Sequence, residues 1–99
     1  MYNVEIEPGA VEDIDKACRY YLSLLVDTDR LINHFLDDLQ TGLDNLKINP
    51  NFNFKTKKYR ALPLNKFPYI IIFTVDDVNK MVFILALFHT AQNPKKYPS

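Results

Sequence analysis

Alternation and helical spacing divide the chain into six segments. Residues 2–7 set Tyr2, Val4 and Ile6 against Asn3, Glu5 and Glu7, the period-two pattern of a half-buried strand. Pro8-Gly9 breaks that pattern. From Ala10 onward Val11, Ile14, Ala17, Cys18, Tyr21, Leu22 and Leu25 recur at helical spacing, with Glu12–Lys16 and Asp15–Arg19 as i,i+4 pairs. Asp27-Thr28-Asp29 supplies a turn and an N-cap for a second helix, whose apolar stripe is Ile32, Phe35, Leu36, Leu39, Leu43 and Leu46. Asn49-Pro50 stops it. Residues 51–56 form a polar-aromatic loop, and three strands follow: Lys57–Leu64, Phe67–Val75 and Met81–Phe88. Asp76 to Lys80 makes a hairpin loop between the last two. The order β-α-α-β-β-β predicts one α+β domain over residues 1–99, a helical hairpin packed on one face of a mostly antiparallel four-stranded sheet.

The last two strands, F-P-Y-I-I-I-F-T-V and M-V-F-I-L-A-L-F, do not alternate, so both of their faces are apolar. An antiparallel sheet under a single helical layer needs only one such face. Either the sheet curves so that loops and the tail fold over the second face, or a protein partner shields it. That second face, and not a loop, is where a site is expected.

With 47% hydrophobic residues in 99, the chain can bury a modest core without disulfides, and Cys18, its only cysteine, reads as a small core residue. No signal sequence opens it and no apolar run spans a bilayer, so no membrane contact and a cytoplasmic location are expected. The formal net charge of zero hides a division: residues 1–50 hold four Lys/Arg against ten Asp/Glu, a net of −6, and residues 51–99 hold eight against two, a net of +6. An anionic partner for the basic half would explain this, but charge alone slightly favours a plain offset of acidic helices by a basic sheet edge.

Candidate chemistry is sparse. His34 falls with Asp38 and Asn45 on the polar side of the second helix and reads as solvated; no metal site is indicated. Gly9 and Gly42 are the only glycines, which excludes a glycine-rich phosphate loop, and no cofactor is implied. What remains is a basic stretch, Lys55, Lys57, Lys58, Arg60 and Lys66, interleaved with Phe52, Phe54, Tyr59, Phe67 and Tyr69. Cations suit a phosphate backbone and aromatic rings stack on unpaired bases. His89 ends the last strand, and Lys95, Lys96 and Tyr97 follow it. Gathered on one sheet face, Lys58 and Arg60 would offset charge on a phosphorane while His89 or Tyr97 moved protons. Edge-strand protection accounts for the same cations, and a loop-bonded strand end for the same histidine.

At Arg60, at Lys66-Phe67-Pro68-Tyr69 and from His89 to Tyr97 (H-T-A-Q-N-P-K-K-Y), the chain resembles the RelE/ParE superfamily of toxins from bacterial type II toxin–antitoxin pairs. The resemblance extends to Pro8-x-Ala10-x-x-Asp13-Ile14, Tyr20-Tyr21, Arg30 and Phe35, and covers nearly the whole chain. It implies the β-α-α-β-β-β fold and one of two activities. RelE-like members cut mRNA on the ribosome without metal; on that pattern Arg60, His89, Tyr97 and Lys58 are catalytic, and Lys55, Lys57, Lys66, Lys95 and Lys96 bind RNA. ParE-like members poison DNA gyrase and are not nucleases. The nuclease is placed first and the gyrase poison second. A third expectation is a degenerate member that only binds antitoxin, marked by Gln92 where relatives carry Arg. The implied partners are an antitoxin covering the second sheet face, the ribosome and mRNA or else gyrase, and, for the free chain, a second copy in a homodimer.

Overall fold

Proline fits the first turn of a helix, where its missing N–H would find no partner anyway. Pro8 therefore opens the first helix here instead of standing ahead of it. The computed structural model describes residues 1–24, 27–51 and 59–91. Its elements run β1 Asn3–Ile6, α1 Pro8–Leu22, α2 Thr28–Ile48, β2 Arg60–Pro63, β3 Tyr69–Asp76 and β4 Met81–His89, in the expected order. Asp27 caps α2 by accepting the Arg30 N–H at 3.4 Å. Leu25, the start of the expected strand at Lys57, and the aromatic pair Phe52 and Phe54 lie outside the described residues.

The four strands stand in the order β1-β4-β3-β2. The β2–β3 and β3–β4 pairs are antiparallel, but β1 lies parallel to β4, so the sheet is mixed. The two helices between β1 and β2 carry the chain across the sheet, and that crossover makes a parallel pair possible. Asp76 closes the β3–β4 turn by accepting from the Asn79 backbone and side chain, which holds its carboxyl below the usual range.

Both helices cover one face. Phe35, Leu39, Leu43 and Leu46 of α2 and Ala10, Ala17 and Tyr21 of α1 bury against Tyr69, Ile71, Phe73, Val82, Ile84 and Leu87. Each large apolar side chain so enclosed contributes about 1.5–3 kcal/mol. Gly42 brings α2 close, since a methyl there would lie 3.1 Å from Ile71 Cδ1. The pairing steps from Ile72↔Ala86 to Phe73↔Ile84, so Leu85 is an extra residue in β4. This bulge puts Ile84 and Leu87, three apart, on the same side, and explains why β4 does not alternate. Three stripe positions are corrected: Val11, Leu22 and Leu36 are 52%, 57% and 40% exposed, at the margins of the helical faces.

Candidate functional site

The second sheet face is narrower than its sequence implies. Ala61, Ile70, Ile72 and Ala86 form a separate cluster with Tyr59 and Phe88 packed against it, and its members are 1–9% exposed. Two of the four are alanines, so few apolar atoms need cover. Of the two expectations for this face, cover from within the chain fits the burial of these four residues. The large exposed apolar side chains among the described residues are instead Met1, Val11, Tyr20, Leu22, Leu36, Ile48 and Val78, on the helices, the chain start and the β3–β4 turn.

Register places the two described catalytic candidates. Arg60 stands opposite Phe73 and His89 opposite Tyr69. Opposed residues share a face, and Phe73 and Tyr69 both belong to the helix-side core. Arg60 and His89 therefore project to the helix side and not to the second face. They lie on the two strands flanking β3 and four positions apart along it, about 16 Å between Cα atoms at ordinary strand spacings. The structure does not bring them together.

Each is engaged where it stands. Arg60 Nη1 donates to the Pro50 carbonyl at 3.1 Å and to Asn51 Oδ1 at 2.6 Å, tying β2 to the chain leaving α2. His89 packs edge-on against Tyr69, with ring centres 5.2 Å apart, and its Nδ1 accepts the Ala91 N–H at 3.0 Å. That bond ties the ring to the turn after β4. Tyr69 continues into a ring cluster with Tyr21, Phe35 and Phe67 at 5.4–6.5 Å. Burial, helped by the bond to Tyr69, pushes the Tyr21 hydroxyl far above an ordinary tyrosine. Lys66 is exposed on the turn between β2 and β3. Lys55, Lys57, Lys58, Gln92, Lys95, Lys96 and Tyr97 lie outside the described residues.

The polar side of α2 holds what the spacing missed. Asp38 is 6% exposed, and its Oδ2 accepts the N–H groups of Lys66 and Phe67 at 2.8 and 3.0 Å. Grouping it with solvated residues is corrected, although His34 and Asn45 are exposed as expected. On α1, Asp13 does the same for the Leu87 N–H at 3.0 Å. The only signal in the sequence is that both carboxylates border the apolar stripe. Among the described residues no group of three or more His, Cys, Asp or Glu is placed to hold a metal, and no helix is long and apolar enough to cross a membrane.

Comparison with known proteins adds the following. The family model for the ParE toxin of the type II toxin–antitoxin system parDE matches residues 4–94. No curated protein matches the sequence. Among solved structures, the chain is similar to one from the chromosomal ParDE toxin–antitoxin system of P. aeruginosa, at TM-score 0.74 and 19% identity over 90% of this chain and 96% of that one. The isolated E. coli RelE toxin aligns at TM-score 0.63 and 15% identity over 96% and 90%. The intact E. coli RelBE toxin–antitoxin complex aligns at 0.61 and 18% over 94% and 100%.

Proposed function

We propose, for a chain that belongs to the ParE toxin family of type II toxin–antitoxin systems, that it arrests growth by binding and poisoning DNA gyrase and not by cutting RNA. One observation carries this choice. The Arg60 guanidinium is committed to the exit of α2, and the Arg60 and His89 Cα atoms stand about 16 Å apart at ordinary strand spacings. In-line cleavage needs charge stabilisation and proton transfer at one phosphate, within hydrogen-bond reach of both groups. A gyrase poison needs no such convergence, only a binding surface, and the ParE match over residues 4–94 agrees with it. Fold alone does not separate the two, because RelE and ParDE chains align on the same scaffold.

The nuclease remains the second candidate, favoured by the basic-aromatic stretch from Lys55 to Tyr69 with Lys58, Arg60, His89 and Tyr97 as its chemistry. Induction without antitoxin separates the two. A gyrase poison triggers the DNA-damage response and leaves gyrase covalently trapped on DNA, with mRNA intact. Primer extension showing cuts in translated mRNA, with no trapped gyrase, would refute the proposal in favour of the nuclease. The partner that restrains the toxin is a cognate antitoxin, as in the aligned RelBE complex. With the second sheet face already buried, we place its apolar contacts on the helices, around Val11, Tyr20, Leu22 and Leu36.

A further inference from the structure

The sheet ends in two unequal edges, β2 on one side and β1 on the other. On β2 the Leu64 N–H donates to the Tyr69 carbonyl, so by alternation Ala61 and Pro63 turn outward, and Pro63 has no N–H to offer. On β1 the Asn3 and Glu7 N–H groups donate to the Lys80 and Ile84 carbonyls on the β4 side. Alternation then sends the N–H and C=O of Val4 and Ile6 away from β4, where no described residue pairs with them. The open stretch is bounded at both ends. The Tyr2 N–H is taken by the Lys47 carbonyl at the end of α2, and Pro8 begins α1.

Register decides what fits this edge. A second copy of β1, run antiparallel about a two-fold axis, uses both open residues of each chain only when Val4 stands opposite Ile6. Each such pair exchanges two N–H···O=C bonds. Val4 opposite Val4 would drive the second copy's Ile6 against the end of α2 at Tyr2, and Ile6 opposite Ile6 would need a strand at Pro8. The Val4 and Ile6 side chains lie on the helix side, partly buried against the main core, so the Val4–Ile6 pairs are apolar and extend it. On the other face Asn3 comes opposite Glu7, an amide that donates to a carboxylate, and the Glu7 backbone is already extended at φ −68° and ψ 155°. One opposed pair is mismatched. Glu5 meets Glu5 on the axis, at a non-hydrogen-bonded position with Cα atoms about 4.5 Å apart. Glu5 has no ion pair among the described residues, β4 sets only Phe83 opposite it, and Glu7 beside it adds to the negative charge. We propose that the β1 edge is a self-pairing surface that joins two copies into one continuous sheet, and that Glu5 holds this pairing back. Because Pro63 closes the opposite edge, assembly stops at a dimer.

Exchanging the charge at residue 5 tests this. The 15N-labelled chain is mixed near neutral pH with unlabelled Glu5→Lys chain, with association followed by sedimentation and the Val4 and Ile6 amides by hydrogen exchange. Lysine then faces glutamate on the axis, and the mixed pair should form at least about tenfold more tightly than either chain pairs with itself. Glu5→Gln should tighten self-association by about threefold to fivefold. Glu12→Gln, the same change of charge on the exposed side of α1, should leave it unaltered. The Glu5 side chain is exposed, so these variants leave the core intact. On pairing, the Val4 and Ile6 amides should slow in exchange while Asn3, already bonded on the β4 side, changes little. No association of the mixed chains at millimolar concentration overturns the proposal. So does association that leaves the Val4 and Ile6 amides unprotected, an equal gain from Glu12→Gln, or growth past the dimer. Protection of these amides by the antitoxin, with none in the mixture, gives the edge to that partner and overturns self-pairing.

Discussion

Replacing Asp38 by alanine measures what holds the β2–β3 turn to the second helix. The Lys66 and Phe67 N–H groups, at 2.8 and 3.0 Å, both end on one carboxylate oxygen of a side chain only 6% exposed. Each N–H left without an acceptor in a part-buried place costs about 1–3 kcal/mol. Two of them set the loss for Asp38→Ala at about 2–6 kcal/mol, the lower end applying if water replaces the carboxylate. Asn keeps an acceptor oxygen and loses the charge, so Asp38→Asn should cost about 1–2 kcal/mol. Urea unfolding followed by circular dichroism gives the differences as shifts of the midpoint at constant slope. Hydrogen exchange localises them: the Lys66 and Phe67 amides should gain exchange rate well beyond Ile71 in the centre of β3. An Asp38→Ala variant within about 0.5 kcal/mol of the parent, the range of an ordinary surface change, would refute the reasoning and make the buried carboxylate a bystander.

Two further outcomes follow from the same geometry. Arg60→Met removes the bonds to Pro50 and Asn51 and should lower stability by about 1–2 kcal/mol while leaving growth arrest intact; unchanged stability with toxicity abolished would assign Arg60 to a target contact instead. The Tyr21 hydroxyl is pushed up by burial first and by its bond to Tyr69 second, so the folded state resists ionising it. Its contribution to stability is complete below the ordinary tyrosine value of about 10 and is lost as the pH climbs past it, so unfolding midpoints should fall on raising the pH from about 10 to 12. Tyr21→Phe should flatten that fall, and an identical slope in the variant would count against the assignment.

The element order was legible because each segment obeys its own period: two in residues 2–7, near 3.6 in both helices, and dense apolar runs in β3 and β4. Pairing partners were not. Nothing local in Asn3–Ile6 states that it lies parallel to Met81–Ile84, since that choice is made by the crossover and not by the strand. The apolar character of both faces of β3 was read correctly, but its consequence was not. Period-two counting takes no account of Leu85, and it does not show that Tyr59 and Phe88 pack against Ala61, Ile70, Ile72 and Ala86 on the second face. Arg60 and His89 were grouped by residue type. Their distance depends on β2 and β4 flanking β3 at opposite ends, which only register fixes. Asp38 was misjudged because a helical wheel assigns polarity by residue type, whereas its neighbours are backbone amides of another element.

The acidity of the two helices has a second meaning once those amides are followed. β1 pairs with β4 only from Met81 to Ile84, which leaves the Leu87 N–H beyond its end without a strand partner; Asp13 of α1 supplies the acceptor. The turn before β3 leaves the Lys66 and Phe67 N–H groups likewise, and Asp38 of α2 supplies theirs. Each helix thus gives one carboxylate to the sheet at a place where the ladder stops, and buried amides demand such acceptors. A purely apolar helical layer could slide over the sheet at little cost, because the hydrophobic effect is non-directional. Two directional, charge-assisted contacts, one per helix, remove that freedom and fix where α1 and α2 stand. The outer surface is then set by the same residues that hold the layers in place: the cleft between α2 and the β2–β3 turn exists because Asp38 holds the turn against α2, and Val11 and Leu22, on the side of α1 away from Asp13, face outward because Asp13 faces in.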